Sequence, residues 1–405
     1  MSHIKKIIHE LNYLKAEDIG QIFLFLISLP LSLIYKLYCK MVHREIWLVS
    51  EDPLEARDNG YCFFKYLNEK QPQITSYYAI SKKSKDYKKV KQTGKIVNFG
   101  SLKHWILYFA SKHNISSQKG GKPNAAICYV LEVYEIIKSK FIFLQHGITV
   151  NKGEWLFYNN TKFRLFVCGA QPEYDYIKSC FGYPEEHLKY LGFCRFDDYH
   201  GVLPYKNEIV LMPSWREWIA SKNEYSKIYE DTSDFTKTEY YQKYQELINH
   251  EELIRFLEEN DLTIYFYPHR NMQKYIQHFS VNNNRIKIVS NQNADIRKLL
   301  IESAVMITDY SSVALDFAYM KKPVIYYQFD EQRFREAQYA EGYYSYRDSG
   351  LGDVCLTASE IVDTLRRLYA DDLTPSKEFL TAHQAFFPLY DNQNNERIFA
   401  EISKI

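Results

Sequence analysis

Four short polar groups in this chain each follow a β-rich run: Gln145-His146-Gly147, Pro213-Ser214-Trp215-Arg216, Pro268-His269-Arg270 and Asp309-Tyr310-Ser311-Ser312. Histidine moves protons near neutral pH, arginine clamps phosphate with paired N–H groups, and hydroxyls at a helix start join free amides in holding anion oxygens. Residues Ile307 to Tyr326 read as strand, polar turn, short helix, turn, strand. A helix starting at Ser311-Ser312 would offer its unpaired amides to phosphate. The same start also fits an N-cap in which Asp309 or Ser311 serves only its own helix, and the segment alone leaves both readings open. In open parallel sheets, ligands bind at the carboxyl ends of strands. Groups of this kind in both halves of the chain predict a cleft between two Rossmann-like lobes, with His146 on one wall and His269, Arg216, Ser311 and Ser312 on the other.

The elements that would position these groups alternate between strand and helix, the pattern of parallel sheets covered by helices. Strands are predicted at 46–50, 77–80, 96–99, 114–117, 141–144, 165–168 and 190–191. The pattern restarts at 208–212, then 264–267, 286–289, 305–308 and 324–327. Two doubly wound domains follow, joined where Gly201 and Pro204 interrupt the pattern: 45–203 and 204–405.

A length of 405 residues with 46% hydrophobic content suits two α/β domains, each with its own core. The formal charge of +1 argues against a nucleic-acid-coating protein. Seven scattered cysteines without a C-x-x-C pair point to reduced, mostly buried thiols. No strand-end cluster suits magnesium or zinc, so neither a metal nor another cofactor is expected. Residues 19–38 are nearly all apolar but broken by Ser28, Pro30, Ser32 and Lys36. With Lys40, His43 and Arg44 behind it, the run fits a helix lying in a membrane interface better than a span, the alternative being a buried hairpin of the first domain. Eighteen residues precede it and no small-residue cleavage site follows, against a cleaved signal peptide. Residues 1–44 are therefore read as a membrane-associating segment.

The motifs Phe143-Leu144-Gln145-His146-Gly147-Ile148, Gly192-Phe193-Cys194-Arg195-Phe196-Asp197, Met212-Pro213-Ser214-Trp215-Arg216, Tyr267-Pro268-His269 and residues 308–327 occur in an order and spacing that resembles the CDP-glycerol glycerophosphotransferase family of teichoic acid synthesis. Residues 47–67 are similar to that family's opening strand and loop. The resemblance covers roughly residues 45 to 390. It implies a GT-B type fold that transfers glycerol phosphate from CDP-glycerol, held by the C-terminal domain, to a hydroxyl of a lipid-linked saccharide or polymer. CMP leaves, and the work is done at the cytoplasmic face of the membrane. CDP-ribitol as donor, a nucleotide-sugar glycosyltransferase, and a non-catalytic scaffold are the alternatives.

In that chemistry His146 is cast as the base and His269 as a partner of the diphosphate or the leaving CMP. Arg216, Arg195, Ser311 and Ser312 are cast as phosphate ligands, with Asp309 orienting the turn and Asp316 as a further donor contact. Two of these residues have structural alternatives: Arg195 paired with Asp197 and Arg216 stacked on Trp215. The turn Arg57-Asp58-Asn59-Gly60 is read as shaping the loop after the first strand, with Gly60 taking an unusual backbone angle, and a role toward the acceptor is the weaker reading. The sequence departs from the family pattern at Cys194 and at Arg270, both at positions where proline is usual.

Overall fold

The computed structural model describes residues 16–220 and 234–405, which divide into two compact units. The first comprises the described residues up to His146 together with Gly153–Asp198 and Asp391–Ile405; the second comprises Gly147–Lys152 and the described part of Tyr199–Tyr390.

The first unit is built on seven parallel strands: β1 (Glu45–Ser50), β2 (Ile74–Ile80), β3 (Lys95–Asn98), β4 (His113–Ser116), β5 (Phe141–Phe143), β6 (Leu165–Cys168) and β7 (Leu188–Tyr190). Their order is β3-β2-β1-β4-β5-β6-β7, with Val49 of β1 opposite Tyr78 on one side and Ile115 on the other. Such strands are covered on both faces, which is why Ile46 to Ser50 of β1 are all buried.

The second unit repeats the plan with β8 (Tyr205–Leu211), β9 (Thr263–Phe266), β10 (Ile286–Ile288), β11 (Ser303–Thr308), β12 (Val324–Tyr327) and β13 (Asp353–Cys355), in the order β10-β9-β8-β11-β12-β13. In each unit the order reverses beside the first strand, between β1 and β4 and between β8 and β11. Ligands of doubly wound sheets gather at such a point.

The division differs from the contiguous one drawn from the sequence. Helix Asn394–Ser403 belongs to the first unit, where Ile398 and Ile402 join the core containing Trp47 and Phe63. Its start is held by Asp197, whose carboxylate accepts the backbone amides of Asn394 and Asn395 at 2.8 and 3.0 Å and both side-chain amides at 2.7 and 2.6 Å. An amphipathic pattern says that a helix buries one face, not which sheet it covers.

Residues 16–41 form one continuous helix that includes Pro30, so the hairpin alternative is ruled out. One face packs on helix Leu102–Ala110, with Phe25 against Trp105 and Phe109 and Trp105 Nε1 donating to Gln21. The other face leaves Phe23, Leu26, Leu33, Ile34 and Leu37 exposed. All seven cysteines are free thiols and only Cys180 is exposed.

Candidate functional site

In the first unit the chain leaves β5 and turns sharply at Gln145, whose φ of 60° is uncommon for a residue with a side chain. Several bonds secure that turn. Asn59 Nδ2 donates to the carbonyl of Gln145 at 2.8 Å, and Gln145 Nε2 donates to Val167 O at 2.8 Å and to Glu173 Oε1 at 2.9 Å. His146 follows with its side chain 71% exposed. Its Nδ1 lies 2.7 Å from Asp58 Oδ2. An imidazole that gives its Nδ1 proton to a carboxylate presents Nε2 as a proton acceptor, and the carboxylate stabilises the cation formed when a proton arrives.

Asp58 is the residue the sequence reading undervalued. Its Oδ1 accepts from Arg195 Nη1 and from the Asn59 amide, each at 2.7 Å, and Arg195 also donates to the carbonyl of His146 at 2.9 Å. Burial alone would raise the Asp58 carboxyl, but the facing His146 and Arg195 outweigh it and hold the group below its usual range, ionised. Arg195 therefore pairs with Asp58 rather than with Asp197, which is occupied by the C-terminal helix. Gly60 does not need a left-handed backbone. It lies within helix Asn59–Lys70, and a Cβ there would come 2.7 Å from the carbonyl oxygen of Ser50. The available signal was an acid in the loop after β1, beside the switch point.

In the second unit, Arg216 is fully buried. Its Nε and Nη2 hold Asp330 in a two-pronged grip at 2.7 and 3.0 Å, while Nη1 lies 2.8 Å from Asp309 Oδ2. Burial alone would weaken its hold on its proton; the carboxylates of Asp330 and Asp309 reverse that and keep it charged. The expected phosphate clamp is thus an internal strut, because both carboxylates already occupy the guanidinium. Nor does Arg216 stack on Trp215; it lies over Tyr310 and Tyr240, and Trp215 pairs instead with the His269 ring.

Asp309, also fully buried, accepts from Ser214 N at 2.8 Å, Tyr310 N at 2.6 Å and the Tyr244 hydroxyl at 3.0 Å. It shapes the turn from behind and is closed to a ligand. Asp316 is likewise buried, inside helix Val313–Tyr319. Asp330, which the sequence reading missed, accepts the Tyr310 hydroxyl at 3.0 Å and so ties the loop after β12 to the turn after β11.

Three of the expected ligand residues keep part of their surface open: Ser311, Ser312 and His269. The helix begins at Val313, one residue later than the sequence reading placed it. Ser312 stands at the N-cap without a capping bond from its side chain, while Ser311 Oγ receives the Val313 amide at a long 3.4 Å. The self-capping reading is therefore weak for Ser311, and Asp309 bonds to Ser214, Tyr310 and Tyr244 rather than to an amide of helix Val313–Tyr319. Gly147, part of the same unit, runs against this turn so closely that a Cβ there would lie 2.7 Å from Ser312 Oγ. His269 Nδ1 accepts the Asn271 amide at 3.2 Å, which leaves the proton of the neutral ring on Nε2 as a donor.

Comparison with known proteins bears on the fold and the family. The chain is 33% identical over 387 residues to the minor teichoic acid biosynthesis protein GgaB of Bacillus subtilis (strain 168), an alignment covering 91% of this chain and 42% of that protein. It is 31% identical over 115 residues to the teichoic acid glycerol-phosphate transferase of Staphylococcus aureus (strain NCTC 8325 / PS 47), covering 27% of this chain and 28% of that protein. The matches thus span less than half the length of these curated relatives.

Among solved structures, the wall teichoic acid polymerase TagF superposes with a TM-score of 0.64 at 16% identity, covering 96% of this chain and 98% of that one. A UDP-GlcNAc 2-epimerase from Neisseria meningitidis gives 0.52 at 10% identity, covering 89% and 100%. These two likenesses establish the GT-B-like fold of paired Rossmann-like domains. The model of the CDP-glycerol:poly(glycerophosphate) glycerophosphotransferase family matches residues 33–404, nearly the whole described fold, and the chain belongs to that family.

Proposed function

We propose that this chain transfers glycerol phosphate from CDP-glycerol to a hydroxyl of a membrane-linked acceptor in teichoic acid synthesis, releasing CMP. The observation that carries the reading is the His146–Asp58 contact of 2.7 Å, which leaves Nε2 of a well-exposed imidazole as a base, in a chain of this family. The acceptor oxygen bonds to the phosphorus bearing glycerol as the bond from that phosphorus to the CMP oxygen breaks. The acceptor proton passes to His146 Nε2, and Asp58 steadies the resulting imidazolium. Within the second unit, the Nε2–H of His269, the hydroxyls of Ser311 and Ser312 and the amides that open helix Val313–Tyr319 are the groups whose chemistry suits diphosphate oxygens. Arg195 acts through Asp58, and Arg216 through Asp309. CDP-glycerol as donor is further supported by a solved TagF variant soaked with CDPG.

Helix Ala16–Met41 is assigned to a membrane surface on the cytoplasmic side. Its 26 residues are long enough to cross a bilayer, at about 1.5 Å per residue. With Phe25 and Gln21 bound to the first unit, only the opposite face meets lipid, which favours lying in the interface. Loss of vesicle co-sedimentation in Leu33→Asp/Leu37→Asp supports this assignment, and unchanged sedimentation removes it.

Mass spectrometry of products from CDP-glycerol or CDP-ribitol with a lipid-linked disaccharide tests donor, acceptor and chain length together. His146→Ala is expected to lower turnover about 10³-fold while still binding CDP-glycerol; turnover at the wild-type rate overturns the mechanism.

A further inference from the structure

Helix Asn59–Lys70 begins at Asp58, whose side chain accepts the Asn59 amide. An aspartate in that place ordinarily spends its carboxylate on amides two and three residues into the helix. Here the Tyr61 amide donates instead to Glu51 Oε1, at 2.6 Å. The same carboxyl group accepts the Arg57 amide at 2.9 Å and the Asp58 amide at 3.2 Å. Glu51 immediately follows β1 and is buried, and the helix start is pressed against it: a Cβ on Gly60 would lie 2.9 Å from Glu51 Cγ. Because the Tyr61 amide is satisfied from outside the helix, Asp58 Oδ2 is released to His146 and Oδ1 to Arg195.

We infer that Glu51 is a positioning residue of the proton-transfer site, capping helix 59–70 in place of Asp58 and so keeping the Asp58 carboxylate turned toward His146. The inference rests on the role proposed above for His146. Charge distribution agrees with it. Burial and the adjacent Asp58 push Glu51 up to about 8, whereas Asp58 is held low, so near neutral pH the negative charge of the pair resides on the residue that faces the imidazole. Removing Glu51 leaves the Tyr61 amide to compete for the Asp58 carboxylate and the Arg57 and Asp58 amides without their acceptor, and His146 loses its partner.

The test is a double-mutant cycle of Glu51→Ala, Asp58→Asn and the pair, in the full chain, read by turnover and by NMR titration of the His146 imidazole, assigned with His146→Gln. Asp58→Asn is expected to reduce turnover about 100-fold and Glu51→Ala by about 10- to 100-fold, with donor KM changed less than about twofold. The double variant should fall no further than Asp58→Asn, and His146 should titrate at lower pH in all three. Glu51→Gln keeps one acceptor oxygen and is expected to fall between wild type and Glu51→Ala; it carries the same comparison if Glu51→Ala does not fold. Multiplicative losses, or an unchanged His146 titration in a folded Glu51 variant, overturn the inference. Shifted titrations in a chain that does not turn over CDP-glycerol leave the positioning role standing and remove the proposed reaction instead.

Discussion

His146 and His269 both follow a parallel strand, yet their Nδ1 atoms are used in opposite senses. Nδ1 of His146 faces a carboxylate, which leaves Nε2 to accept a proton, whereas Nδ1 of His269 accepts a backbone amide, which leaves Nε2–H to donate. The buried charges behind them differ in the same way. In the first unit Asp58 links Arg195 to an exposed, titratable ring; in the second Arg216 links Asp309 to Asp330, and no charge of that trio reaches the surface. One unit uses ionic pairing to hold an exposed imidazole, the other to stiffen a turn that carries neutral hydroxyls and amides. An acid–base group needs a fixed tautomer and an open face; an anion-binding turn needs rigid backbone, which a buried network supplies at the cost of desolvating its charges.

The largest test of that contrast is Arg216→Met. It leaves Asp309 and Asp330 buried without their cation, and breaking such a pair costs about 3–5 kcal/mol, read as a drop in the urea midpoint. Arg195→Met is expected to lose less stability, since Asp58 keeps His146 and the Asn59 amide, yet to lose turnover through a misplaced carboxylate. Equal losses of stability in the two variants break the contrast.

Asp58→Asn comes next. The protein should remain folded, because an asparagine oxygen still accepts the Asn59 amide, while turnover falls about 100-fold, roughly 2.7 kcal/mol of activation free energy. Donor affinity should not change. An asparagine variant with normal turnover makes the Asp58 contact merely structural.

Much of this division could be read from the residues, and the rest fails for identifiable reasons. Strands such as Leu165–Cys168 and Val324–Tyr327 announce themselves as short β-rich runs flanked by polar turns. Strand Asp353–Cys355 does not, having only three residues and one β-branched side chain. The strand-end position of His146 and Ser312 follows from the parallel pattern, but the number of open faces a side chain keeps does not. Arg216 carries the chemistry of a phosphate clamp, and only the approach of Asp330, 114 residues later in the chain, turns it inward. Asp58 is hidden for the converse reason. Its partners His146 and Arg195 lie 88 and 137 residues away, so its local Arg-Asp-Asn-Gly context reads as an ordinary turn.

A smaller effect separates the two carboxyl groups within the first unit. Glu51 titrates at about 8 in the folded chain against an ordinary value of 4.5, so across that window the folded state holds a proton the unfolded chain has released. Its contribution to stability is full below about pH 4.5 and is lost as pH rises through 8. Asp58 has the opposite sign: its carboxyl is depressed, so its contribution is present above its ordinary value of 3.8 and lost in acid. Urea unfolding from pH 5 to 8.5 should show wild type losing at most about 1.4 kcal/mol per pH unit relative to Glu51→Gln. Parallel pH curves for the two proteins contradict a protonated Glu51.

The smallest expected effect bears on the neutral turn. If Ser312 holds a phosphate oxygen through its hydroxyl, Ser312→Ala removes one hydrogen bond of about 1 kcal/mol, a rise in donor KM of about fivefold with little change in turnover. Gly147→Ala reaches the same group from the other side, since the added carbon would sit 2.7 Å from Ser312 Oγ and push the hydroxyl out of place. The double variant relieves that clash by deleting the oxygen, so it should be no worse than Ser312→Ala alone. A Gly147→Ala effect that survives undiminished in the Ser312→Ala background assigns the glycine to backbone fit and takes the hydroxyl out of donor binding. The second unit would then hold phosphate through His269, Ser311 and helix amides.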